Sequence, residues 1–206
     1  MSIPLSGTRS LFAYVMRRRS GQGALALCCL ILLAAGAPRG EFRPLESHSE
    51  TRIPRIETFV AAEEFKIGNA IGGRMLGAVG WNFAEHFLGV VEHNIPESQA
   101  NAWTLLYTTG DKSLIEASGG EGSIVRFLPH IHHFLVLGGK GPSHLDGRSN
   151  FAYVRSDMDG RLWAVHWNVN SANEWNIGAV FVPHPLLDWR SGSRLFSIWT
   201  VPYNSF

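Results

Sequence analysis

Cysteine is almost missing from this 206-residue chain: Cys28 and Cys29 are the only two, adjacent and inside its longest apolar run. If that run is removed on export, the remaining chain has no thiol nucleophile, no zinc-thiolate site and no disulfide framework. A fold of that size must then be held by its core alone. Charge is scarce too, at 17% Asp, Glu, Lys and Arg, and the net charge of +1 gives no reason to expect nucleic acid as a partner. No internal repeat of 20 to 50 residues is visible, which argues against solenoids and propellers. The 45% hydrophobic content excludes intrinsic disorder and collagen-like chains.

What charge there is lies unevenly. The first 36 residues carry Arg9, Arg17, Arg18 and Arg19 and no acid, and removing them leaves 14 basic against 17 acidic groups. Arg17 to Arg19 precede the uncharged run GALALCCLILLAAGA from Gly23 to Ala37, which has the order of a signal-peptide n-region and h-region. A permanent membrane helix needs about 20 apolar residues, so this run is short for one. Residues 1–37 therefore read as a signal peptide, cleaved near Ala35 to Ala37, or as a membrane anchor. The expected location is periplasmic or extracellular, with membrane contact only through residues 1–37 if they stay attached.

Residues 38–55, rich in proline and charge, read as a linker before a single domain over 56–206. Within it, 56–117 reads as helical. Phe59, Ala62, Phe65 and Lys66 recur at helical spacing, as do Trp81, Ala84, Glu85, Phe87, Leu88 and Val91. A third helix is expected between Pro96, suited to a first helical position with Glu97 beside it, and Gly110, suited to a stop. From Ser123 to Phe206 the pattern reads as strands: 124–128, 131–137, 151–155, 162–169, 175–182 and 195–201. The strongest of these is the hairpin FAYVRSDMDGRLWAVHWNV, where Trp163, Val165, Trp167 and Val169 alternate onto one face. The expected fold class is α+β, with amino-terminal helices packed on a mostly antiparallel β-sheet.

Candidate chemistry starts with histidine. On a strand, His130 and His132 would share a face about 7 Å apart, and His144 or Asp146 from the loop GGKGPSHLDGRS would complete a site for a divalent metal such as zinc. Such a metal would activate water for hydrolysis. Histidines that merely decorate a partly exposed sheet explain the same spacing. The glycines of that loop do not follow the P-loop order, and Ser143 lacks a nucleophile elbow. The DMDG turn lacks the later ligands of a calcium loop, and Glu63, Glu64 and Glu85 are spaced as exposed helix charges. Gly68, Gly72, Gly73 and Gly77 have the spacing of closely packed helices, a feature that a membrane-active protein would share.

Aromatic residues supply the remaining hint. Trp163, Trp167 and Trp175, with Asn170 and Asn173, offer stacking surfaces beside hydrogen-bonding groups, as a sugar or peptide site requires. Core packing also consumes tryptophans. The sequence thus points to an exported, soluble binding or interaction protein without catalytic activity, its partner a protein, peptide or glycan. A metal-dependent hydrolase using the histidine cluster is the first alternative. A membrane-active or toxin-like protein using the glycine-rich segment is the second.

Overall fold

The computed structural model describes residues 44–184 and 188–199, all within one compact unit spanning 43–206. The head read as a signal peptide or anchor, with Cys28 and Cys29, lies outside the described residues. Among the described residues no helix is long and apolar enough to cross a membrane.

The architecture overturns the expected amino-terminal helical half. Strand makes up 43% and helix 23% of the described residues, and the helices are short insertions between strands rather than an amino-terminal layer. Twelve strands are formed among the described residues: β1 (Leu45–Ile53), β2 (Ile56–Val60), β3 (Ala70–Ile71), β4 (Arg74–Val79), β5 (Val91–Ile95), β6 (Ser98–Leu105), β7 (Thr109–Gly110), β8 (Asn150–Arg155), β9 (Leu162–Val169), β10 (Trp175–Phe181), β11 (Asp188–Trp189) and β12 (Arg194–Trp199). Four α-helices interrupt them: α1 (Ala61–Glu64), α2 (Trp81–Phe87), α3 (Asp111–Ala117) and α4 (Leu128–Leu137). Eight strands form one sheet in the order β1-β6-β12-β8-β9-β10-β4-β3, while β2 pairs with β5 and β7 with β11. The sheet is mixed, because β12 runs parallel to β8 and β10 parallel to β4.

Four local readings are corrected. The stretch Pro96 to Gly110, expected as a helix, contains β6, an interior strand held by β1 on one side and β12 on the other. Its Ala, Gln and Leu residues suit a helix locally, but ladder bonds along both edges override that weak preference. The stretch 131–137, expected as a strand, lies in α4. Leu128, Ile131, Phe134 and Leu135 are all buried at helical spacing, Pro129 stands in the first turn, and Gly138 closes the helix at φ +50°. The glycine-rich segment is no helix pair; Gly72 and Gly73 turn the chain between β3 and β4. A Cβ on Gly72 would overlap the carbonyl oxygen of Leu135, so this turn packs tightly against the end of α4. Residues 45–53, part of the expected linker, form the edge strand β1.

The hairpin β8-β9 forms as expected, with Val154 opposite Trp163 and Ala152 opposite Val165. Alternation along these strands feeds two cores. One face of the sheet, with Ala100, Ala102, Ala152, Val165 and Phe196, packs under α4 through Ile131 and Phe134. The other, with Leu105, Phe151, Tyr153 and Leu195, is covered by Leu114 of α3 and Trp189 of β11.

Candidate functional site

The second cover is incomplete. Beyond Leu105, the same face of β6 continues into Trp103, Asn101 and Gln99, which are only partly buried. With Glu50 of β1 and the chain from Ala117 to Gly119 at the end of α3, they line a groove of about 460 Å³. Period-two alternation makes this face: Ser98, Ala100 and Ala102 turn into the core, while Gln99, Asn101 and Trp103 stay partly exposed. Antiparallel pairing sets Glu50 directly opposite Asn101.

Each lining group is fixed differently. The Trp103 indole Nε1 donates to Ser197 Oγ at 2.9 Å, which anchors one edge of the ring. Gln99 Nε2 donates to Glu50 Oε2 at 2.6 Å, leaving the amide oxygen of Gln99 and the second carboxylate oxygen of Glu50 available. Asn101 has no side-chain hydrogen-bond partner among the described residues. At the rim, Ser118 Oγ contacts Ser123 Oγ at 3.1 Å and donates to the Ile115 carbonyl, and Gly119 holds φ +114°. Arg52 grips Glu97 through two hydrogen bonds of 2.7 and 2.6 Å beyond Gln99, and this pairing lowers the Glu97 carboxyl below its ordinary range. One half-exposed aromatic ring beside amide and carboxylate groups can stack on an apolar ligand face and hydrogen-bond its hydroxyls.

The residues singled out from sequence take other places. Trp167 and Trp175 are completely buried and Trp163 nearly so. Trp167 Nε1 donates to Ser143 Oγ at 3.2 Å, and Trp175 Nε1 to the Ile71 carbonyl at 3.0 Å. The Trp163 ring lies 4.2 Å from His86, its Nε1 without a partner among the described residues. Asn170 Oδ1 accepts from the backbone N–H of Ala172 and Glu174, so it builds the β9-β10 turn. Asn173 sits in that turn at φ +64° and accepts from Arg74 Nε at 3.0 Å.

The four candidate metal ligands do not converge. Because 130–133 is helical, His130 and His132 point in different directions. His130 is fully buried, neither ring nitrogen has a partner among the described residues, and burial pushes its pKa down to about 4. His132 lies between the Phe59 and Phe65 rings, with Nε2 at 3.3 Å from Glu64 Oε2, and burial pushes it down to about 4 as well. His144 and Asp146 do meet, at 3.9 Å, but the same carboxylate also faces Arg148 Nε at 3.4 Å. Among the described residues no three His, Cys, Asp or Glu side chains are grouped as a metal would require.

The groove residues went unseen because their strand read as a helix. The signal was present: in SQANAWTL small and larger side chains alternate, but Pro96 and Gly110 supplied helix punctuation on either side. Glu50 lay in the expected linker. The chain matches no family model, no curated protein and no solved structure.

Proposed function

We propose that this is an exported binding protein that takes a hydroxyl-rich ligand, a short glycan by its chemistry, in the groove on β6 and β1. One observation carries the reading: the edge-anchored Trp103 ring shares an opening with Asn101, Gln99 and Glu50. A sugar presents C–H groups on its faces and hydroxyls around its rim, so an aromatic plane flanked by amides and a carboxylate complements it without charge neutralisation. The proposed role is recognition alone.

Calorimetric titration with a panel of neutral oligosaccharides tests it. At least one should bind, and Asn101→Ala, which removes no side-chain hydrogen bond among the described residues, should weaken that binding about tenfold, the worth of a hydrogen bond or two at a site left unpaired. Trp103→Ala should abolish it. Absence of heat with every glycan, or binding that Asn101→Ala and Trp103→Ala leave unchanged, would sink the proposal.

A further inference from the structure

Charge and hydrogen-bonding capacity are unevenly spread in the groove on β6 and β1, and they narrow its ligand beyond a neutral glycan. Among the described residues that line it, Glu50 carries the only charge. Arg52 stands two residues along the same strand, but its guanidinium is met by both carboxylate oxygens of Glu97, at 2.7 and 2.6 Å. The lining is therefore acidic.

Its side chains also hold more acceptors than donors. Gln99 spends one amide N–H on Glu50 Oε2 at 2.6 Å, and the Ser118 hydroxyl donates to the Ile115 carbonyl at 3.1 Å. What remains is the second oxygen of Glu50, the amide oxygen of Gln99 with one N–H, and both ends of Asn101. That leaves roughly twice as many lone pairs as N–H groups. The bond from Gln99 also restrains the Glu50 side chain, which would otherwise be free to swing at an exposed position. Antiparallel register sets Glu50 opposite Asn101, and Trp103 lies two residues further along the same face of β6. Cross-strand neighbours at these spacings stand about 5 to 8 Å apart, so one ligand group can touch the carboxylate while its carrier lies on the indole. An ammonium answers each of these features: it has three N–H donors, it pairs with a carboxylate, and an aromatic face attracts it.

We infer that the groove selects an amino sugar, a short oligosaccharide whose amine is free and protonated, and that Glu50 sets this preference. The inference rests on the glycan reading of the groove. Stacking on Trp103 and hydrogen bonds to Asn101 are open to any pyranose, whereas the ammonium adds contacts to Glu50 and to the Gln99 amide oxygen. N-acetylation cancels the preference, because it removes the charge and two of the three donors and brings a carbonyl oxygen to a lining already rich in acceptors.

Calorimetric titration of the full chain with β-1,4-linked trimers of glucose, N-acetylglucosamine and glucosamine, at a pH of about 6 where an amine stays protonated, tests the inference. The glucosamine trimer should bind about fivefold tighter than the glucose trimer, a modest factor because Glu50 is exposed. The acetylated trimer should gain nothing over glucose, and added salt should weaken the glucosamine trimer selectively. Glu50→Gln should bring the ratio of glucosamine to glucose affinity to about one, whatever it does to either affinity alone. Glu46→Gln, on the same strand but outside the lining, should leave that ratio in place. Equal affinity for the glucose and glucosamine trimers, or a ratio that Glu50→Gln leaves unaltered, overturns the inference while the glycan reading stands. If no trimer binds, the inference falls together with the reading beneath it. Tighter binding of trilysine than of the glucosamine trimer would assign the ammonium to a peptide and overturn it as well.

Discussion

Asp111 is the residue on which most buried polar geometry depends. It opens α3 and is 5% exposed. Tyr153 Oη and Trp189 Nε1 each donate to its Oδ1 at 2.8 Å, and the His184 backbone N–H approaches its Oδ2 at 3.4 Å. A buried carboxylate is tolerated only when its lone pairs are occupied, and these donors come from three separate segments. Burial and the carboxylate together push the Tyr153 hydroxyl upward, so Tyr153 stays a donor at any ordinary pH. Asp111→Ala should cost about 3 kcal/mol, because Tyr153 and Trp189 would be left buried and unpaired, while Asp111→Asn should cost less. Urea unfolding measures both. Equal stability of Asp111→Ala and the parent would show that water replaces the carboxylate freely.

Among the elements, α4 carries the acid sensitivity. Its amino end is met by Glu92 of β5, whose carboxylate accepts the Leu128 N–H at 3.1 Å. Glu92 is pushed up to about 7, first by burial and then by Asp157, with the Leu128 bond opposing. One turn carries His130, His132 and His133, all lowered, chiefly by burial. His130 falls from 6.5 to about 4, so between those values the unfolded chain binds the extra proton. Its contribution is complete above about pH 6.5 and is lost as pH falls through 4, on the order of 3 kcal/mol at the limit. Glu92 acts in the other sense: its contribution is complete below about pH 4.5 and disappears as pH rises through 7. Protonated His132 has Glu64 nearby, so His130, which faces only His133 among charged partners, should dominate. His130→Leu should flatten the fall in urea midpoint between pH 6.5 and 4. An unchanged slope would remove His130 as its cause.

That helix also shows how far element type was legible. Its seven-residue core, Ile131 to Leu137, is apolar apart from His132 and His133, and such short runs fit a buried strand or a buried helix equally by pattern. Pro129 and Gly138 were the deciding local marks. In β6 the punctuation misled, since Pro96 and Gly110 bracket a strand. The hairpin β8-β9 was readable because both halves alternate and the turn residues agree with them.

For the whole molecule, the eight-stranded sheet is the shared wall of two cores. Phe151 and Ala152 are adjacent in β8, yet Phe151 stacks on Trp189 at 3.8 Å on one side while Ala152 faces α4 on the other. Neither core can loosen without the strands that hold the other. Phe134→Ala in the first core and Phe151→Ala in the second should each cost about 3 to 5 kcal/mol. In both variants tryptophan fluorescence and far-ultraviolet circular dichroism should report one coincident transition. Separate transitions for the two probes would mean that the cores fold independently.

The sequence by itself determined composition-level facts and strong local patterns: cysteine confined to the head, the β8-β9 hairpin, the apolar positions that enter the cores. Those depend on neighbours along the chain, where propensity and periodicity act. Only tertiary structure decided that β6 is a strand, that three strongly marked tryptophans lie in the core while Trp103 lines a groove, and that the loop carrying His144 is tied to Arg194 of β12 through the Pro142 carbonyl rather than grouped with His130. Each of those outcomes rests on partners distant in sequence: the two flanking strands of β6, the cover of Ile131 and Phe134 over the sheet, and the return of a loop onto β12. Ladder bonds and burial at such contacts outweigh the few tenths of a kcal/mol per residue that local preference contributes.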